Sequence, residues 1–152
     1  MNQIAELLPA ANILLDLDAP SKTRLFEAVA ALFETHDGLA RKLVIDSLGA
    51  REKLGSTGLG QGIAIPHGRI KGLTEARGAF VRLKTPIAFD APDGKPVAQV
   101  FVLLVPEQAT EQHLQLLSEL AQMFSDRGFR DRLAATADPA AVHALFTTWM
   151  AA

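Results

Sequence analysis

The unbroken apolar run Val100-Phe101-Val102-Leu103-Leu104-Val105 restricts the possible folds of this chain more than any other stretch. It has no polar face to turn towards water. A segment this short and this rich in Val, Phe and Leu reads as a β-strand covered on both faces, in the middle of a sheet between two layers. The strand containing it is expected over residues 97–105, with others over 13–17, 63–65 and 78–84. Pro92-Asp93-Gly94 reads as a turn. Ser21 caps a helix running to about residue 36, with Leu25, Val29, Leu32 and His36 on one face and Asp37-Gly38 at its end. A second helix is expected over 39–54, with Gly55 closing it. Thr110 opens a third to about residue 124, and a short one covers 129–135. Asp138 with Pro139 opens the last, striped by Val142, Leu145, Phe146 and Trp149. Helices before, between and after short strands predict an α/β (α+β) layered domain with a central sheet. At 152 residues and 49% hydrophobic, the chain is long enough for one well-buried core and too short for two comfortable domains, and it has no repeat or linker. A single domain over residues 1–152 is expected.

The chemistry centres on His67. The apolar segment Ile63-Ala64-Ile65 ends at Pro66. His67 follows at once, then Gly68, which lets the backbone approach a partner closely. Upstream lies the stretch Gly55-Ser56-Thr57-Gly58-Leu59-Gly60-Gln61-Gly62. A histidine after a strand is most often a surface or capping residue, and glycines most often mark turns. Together these two stretches set a histidine on a rigid mouth beside backbone N–H groups that no large side chain covers. That setting suits a histidine acting as nucleophile towards an anion.

Several functions are disfavoured. A net charge of −2, with acidic and basic residues interspersed, gives no reason to expect a nucleic-acid partner. There is no cysteine, so disulfide and thiol chemistry are out. No apolar run approaches the roughly 20 residues of a membrane span. The start Met1-Asn2-Gln3-Ile4-Ala5-Glu6 lacks the basic and apolar regions of a signal peptide, so a cytoplasmic protein without membrane insertion is expected. The four histidines form no His-x-x-x-His pair, so no zinc site is expected. The phosphate-binding Gly-x-x-x-x-Gly-Lys-Ser/Thr segment is missing, and Gly60 to Pro66 does not open a helix as a dinucleotide fingerprint would. No cofactor is expected.

Arg51-Glu52-Lys53-Leu54-Gly55-Ser56-Thr57-Gly58 leads through Leu59-Gly60 into Ile63-Ala64-Ile65-Pro66-His67-Gly68-Arg69. This resembles the phosphorylation-site signature of the mannitol/fructose class of IIA domains, from the bacterial phosphoenolpyruvate-dependent phosphotransferase system. It is most similar to the nitrogen-type branch (IIA-Ntr). Asn12 to Lys22, Phe89 to Val97, Leu103 to Glu107 and the pair His113-Leu114 agree, so the resemblance covers essentially the whole chain. It implies a mixed sheet flanked by helices on both sides. It further implies phosphorylation of His67 at Nε2 by a small HPr-like phosphocarrier protein, and it matches His113 to the family's second active-site histidine.

Phosphoryl transfer is mostly positioning and charge neutralisation, so donors must surround the oxygens. Candidates are the backbone N–H groups of Gly58 to Gly62 and of Gly68, the hydroxyls of Ser56 and Thr57, and the guanidinium groups of Arg51 and Arg69. His113 falls near the third position of its helix, on a face with Leu116, Leu117, Leu120 and Phe124. A helix N-terminus disfavours imidazolium and favours a nearby anion, so His113 is expected to bond the phosphoryl oxygens or His67 without accepting the group. His36 and His143 have no such context. In the nitrogen-type branch the phosphorylation state controls binding to other proteins, such as potassium-transport components and nitrogen or carbon regulators. The alternative is a stand-alone IIA component passing the group to a IIB cysteine and then to a fructose- or mannitol-type sugar. A pure interaction module without chemistry fits less well, because Pro66-His67-Gly68 and His113 are intact.

Overall fold

In the computed structural model, residues 2–108 and 110–150 are described. Along them run α1 (Gln3–Leu7), a 3-10 turn (Ala10–Asn12), β1 (Ile13–Leu17), α2 (Lys22–Asp37), α3 (Arg41–Lys53), β2 (Gly58–Gly60), β3 (Ile63–Ala64) and β4 (His67–Ile70). Then come β5 (Arg77–Ile87), β6 (Val97–Pro106), α4 (Glu111–Ser125), α5 (Arg127–Ala135) and α6 (Pro139–Thr148). The apolar run at Val100 is indeed the middle of a mixed sheet. β6 pairs antiparallel with β5 on one side and parallel with β3 and β4 on the other. β1 extends the sheet parallel to β5, and β2 closes the other end antiparallel to β3.

Side-chain alternation along β5 and β6 feeds two separate cores. Ala79, Val81, Val100, Val102 and Leu104 pack with Leu25, Val29 and Phe33 of α2 and with Val44 and Leu48 of α3. Phe80, Phe101 and Leu103 point to the opposite face, under α1, α4, α5 and α6. There Phe146 sits among four rings, with centroids 5.1 Å from Phe80, 5.2 Å from Phe129, 5.6 Å from Phe101 and 6.0 Å from Phe124. The α/β class and the helices on both faces are as expected. Among the described residues, no helix is long and apolar enough to cross a membrane.

Boundaries follow local chemistry. The Ser21 side chain accepts from Arg24 N at 3.2 Å to start α2, and Gly38 at φ 69° stops it. α3 starts at Arg41, two residues later than expected, without a side-chain cap. The Asp126 side chain caps α5 at Phe129 N, so that helix begins at Arg127 rather than at 129. α1, β2 and β4 are too short to give a periodic signal, and the sequence does not announce them.

β4 corrects the expectation that the strand stops at Pro66. The register against β6 is the same on either side of that proline, from Ile63 opposite Gln99 to His67 opposite Leu103. Pro66 has no N–H to give, but its carbonyl accepts from Leu103 N at 3.0 Å, so the ladder resumes after one missing rung. His67 therefore stands on a strand rather than on a loop.

Candidate functional site

The His67 ring is half-buried, and its Nδ1 lies 2.9 Å from the carbonyl oxygen of Ile65. A carbonyl can only accept, so Nδ1 carries the proton and Nε2 keeps its lone pair. The strand backbone thereby fixes both the tautomer and the orientation of the ring.

His113 has the opposite tautomer. It occupies the third position of α4, and its Nδ1 accepts from Thr110 N at 3.0 Å. This is the return half of a capping box, a place usually taken by Glu or Gln. Accepting requires the Nδ1 lone pair of a neutral imidazole, so the remaining proton sits on Nε2. One histidine offers a bare Nε2 and the other an Nε2–H.

Both line one open cleft of about 680 Å³ between α3 and α4, with β4 as its floor. Arg51, Gly68, Arg69 and Lys71 line it too. A smaller cleft of about 330 Å³ adjoins it, lined by Ser56, Thr57 and Gly58 and again by Arg51 and His67. His67, His113, Arg51, Ser56, Thr57, Gly68 and Arg69 therefore meet at two neighbouring hollows that share His67 and Arg51, whereas Gly60, Gln61 and Gly62 line neither. Arg51 donates from Nη1 to Gly55 O at 2.9 Å, which ties its fork to the turn after α3. Arg69 is exposed on the strand that carries His67.

The hydroxyls and glycines have other duties than the sequence suggests. Ser56 Oγ donates to Phe89 O at 2.5 Å and accepts from Gly58 N. Thr57 Oγ1 donates to Glu52 Oε1 at 2.6 Å. Both hydroxyl protons are engaged within the protein. Gly68 permits a close packing, because a Cβ there would collide with Ser47 Oγ, which itself donates to Arg69 O at 2.8 Å. In the glycine stretch the anion present is the chain's own Asp93, whose carboxylate accepts from Gln61 N at 2.9 Å and from Lys95 N at 3.1 Å. These backbone bonds, the one from Gln61 first, hold the Asp93 carboxyl below its ordinary range. A lowered folded value means that the stabilisation is complete above the ordinary carboxylate range and fades as pH falls through the depressed value. Asp93→Ala should therefore melt below the parent at neutral pH, and the gap should close in acid. Thermal unfolding at two pH values checks this, and a gap independent of pH would contradict it.

Sequence reasoning missed two features. One is Glu52, whose carboxylate bonds Thr57 from the last turn of α3. The other is the apolar rim. Leu43, Leu54 and Leu114 are 47%, 84% and 61% exposed, and all three line the larger cleft. A single exposed leucine is ordinary, but three around one cleft make an apolar patch of the kind that interaction sites carry. Their helical spacing carries no sign that they face outward.

Comparison with known proteins places the chain in a family and matches its fold. The family model described as "Phosphoenolpyruvate-dependent sugar phosphotransferase system, EIIA 2" matches residues 6–149. A nitrogen regulatory protein of Pseudomonas aeruginosa is 44% identical over 140 residues, covering 88% of this chain and 87% of that protein. The crystal structure of the nitrogen regulatory protein IIA-Ntr from Neisseria meningitidis superposes with a TM-score of 0.90 at 51% identity, covering 95% of this chain and 99% of that one. The Escherichia coli mannitol IIA enzyme, solved in complex with phosphorylated mannitol IIB, shares the fold, with a TM-score of 0.77 at 22% identity over 94% of this chain and 100% of that one.

Proposed function

The chain belongs to the EIIA 2 family of the phosphoenolpyruvate-dependent sugar phosphotransferase system, and from that membership we propose that it is a phosphohistidine carrier that regulates other proteins. His67 accepts a phosphoryl group from an HPr-like protein at Nε2. The observation that carries this reading is the pair of opposed tautomers at one cleft, with the lone pair on His67 and the proton on His113. The P–N bond to the donor's histidine breaks as a P–N bond to the His67 lone pair forms. The Nδ1 proton stays in its bond to Ile65 O throughout, so no proton has to move during the transfer. The retained proton also lets neutral imidazole leave when the group is passed on. The His113 Nε2–H donates to a phosphoryl oxygen, and Arg51 and Arg69 offset charge. The N–H of Gly68 belongs to the rigid floor, while Ser56 and Thr57 shape the turn that carries the Arg51 anchor.

The exposed leucines around the cleft suit a protein donor rather than a small molecule. The likeness to nitrogen regulatory proteins over most of both chains favours regulation over sugar uptake. Phosphorylation adds roughly one and a half to two negative charges, which repel an acidic or apolar partner surface and attract arginines. Potassium-transport or sensor components are the kind of target this implies, met in the cytoplasm by one IIA-type domain.

The direct test is incubation with an HPr-like phosphocarrier, its kinase and phosphoenolpyruvate, followed by intact mass. A gain of ~80 Da is expected; an unchanged mass would overturn the carrier reading. For regulation, His67→Asp should alter capture of a target in a pull-down, with His67→Ala behaving as the unphosphorylated form. Loss of growth on one sugar after gene deletion, not restored by His67→Ala, would instead establish transport. His113→Ala should still be labelled, more slowly. A bond to a charged group contributes about 1.5–3 kcal/mol, roughly tenfold or more in rate. Stopped-time labelling reads this, and a labelled peptide containing residue 113 in the parent would assign the acceptor to His113 instead.

A further inference from the structure

We infer that Glu52 is a positioning residue for Arg51, holding the guanidinium over the cleft by clamping the turn that anchors it. The inference rests on the carrier reading above. Arg51 and Glu52 are adjacent in the last turn of α3 and look in different directions. Arg51 lines both hollows. The Glu52 side chain, only 8% exposed, turns back into the protein. There it receives Lys22 Nζ at 2.8 Å, Thr57 N at 3.1 Å and Thr57 Oγ1 at 2.6 Å. One carboxylate thus joins the start of α2, the end of α3 and the turn entering β2.

The turn it closes holds the oxygen that grips Arg51. Gly55 O accepts from Arg51 Nη1 at 2.9 Å, and Gly55 lies between Glu52 and Thr57 in sequence at φ 151°, a backbone setting that few side chains adopt. Backbone bonds from Leu54 N to Arg51 O at 3.1 Å and from Gly55 N to Glu52 O at 3.2 Å hold the helix side of the turn, and the Glu52 carboxylate holds the side that leaves for β2. A second strut runs beside the first: Lys22 Nζ also lies 4.5 Å from the centroid of Phe89, whose carbonyl accepts from Ser56 Oγ. Without the Glu52 charge, Thr57 and Lys22 lose their common partner, the strand side of the turn loosens, and Gly55 O is held from the helix side alone. The Arg51 fork then keeps its charge but loses its fixed direction. A misdirected cation loses transition-state stabilisation while donor docking on the leucine rim is untouched.

The experiment follows phosphoryl transfer from an HPr-like donor to the full chain, for the parent, Glu52→Gln, Arg51→Ala and the double variant. Glu52→Gln keeps the shape and removes the charge. Its transfer rate constant at saturating donor should fall about tenfold, with the half-saturating donor concentration within about twofold. In the Arg51→Ala background the same substitution should cause no further fall, because there is no fork left to aim. A saturating transfer rate equal to the parent's, effects that multiply in the double variant, or a rise in the half-saturating donor concentration alone would each overturn the inference. If Glu52→Gln melts below the assay temperature, Thr57→Val, which removes only the 2.6 Å bond, carries the same cycle with the same criteria. A parent chain that takes no label would overturn the carrier reading itself, a result separable from any ranking of the variants.

Discussion

His67→Ala should take no phosphoryl group at all, and intact mass should stay at the unmodified value where the parent gains ~80 Da. The expectation rests on where the four histidines direct their ring nitrogens. His113 and His143 both carry protons on Nε2, since His113 accepts through Nδ1 and His143 donates from Nε2 to Leu8 O at 2.9 Å. His36 is tied through Nδ1 to Asn12 Oδ1 at 3.0 Å and lines neither hollow at the site. Only His67 brings an Nε2 lone pair into the cleft with the arginines. The loss should be of chemistry and not of fold, because the ring is half-buried and its one bond is to the neighbouring backbone. Circular dichroism and thermal unfolding close to those of the parent should accompany the missing label. Labelling of His67→Ala at the parental rate would refute the assignment.

Phe146→Ala should cost more stability than any of the substitutions at the cleft. The ring is wholly buried and touches four others across α4, α5 and the sheet. Removing such a ring takes away its transfer free energy and leaves a hole that neighbours on four sides cannot all collapse into, a cost of about 3–5 kcal/mol. In a chain of this length that lowers Tm by on the order of 10 °C. Denaturant unfolding should show a shifted midpoint at unchanged slope. A loss under about 1 kcal/mol would mean that the rings are loosely packed.

The sheet is legible in the sequence because its signal is periodic. Val100 to Val105 needs cover on both faces, and every other residue along β5 and β6 does enter a different core. Helix ends are legible where a cap is written in the residues, as at Ser21 and Gly38. β4 is hidden because proline normally ends a strand, and only the Leu103 bond to Pro66 O across the sheet lets it continue. The candidate acceptor histidine stands out through its neighbours, and His113 through its helix start. The duties of Ser56, Thr57 and the glycines escape the sequence because Phe89 O and Asp93 lie outside the motif, and Glu52, though inside it, meets Thr57 only where the chain turns back after α3, which spacing does not reveal. Asn12 is likewise silent in the sequence, although it is fully buried and joins His36, Asp37 and the Gly78 carbonyl.

Leu43, Leu54 and Leu114 surround a single candidate acceptor nitrogen, and this has a consequence for traffic. Two proteins cannot rest on that rim together. On the proposed reading, donor and target must take turns, and each excludes the other while seated. A target that holds the unmodified form also shields Nε2 from the donor. The phosphorylated fraction then depends on how much target the cell contains as well as on the supply of phosphoenolpyruvate, and a surplus of target behaves as a brake on the relay.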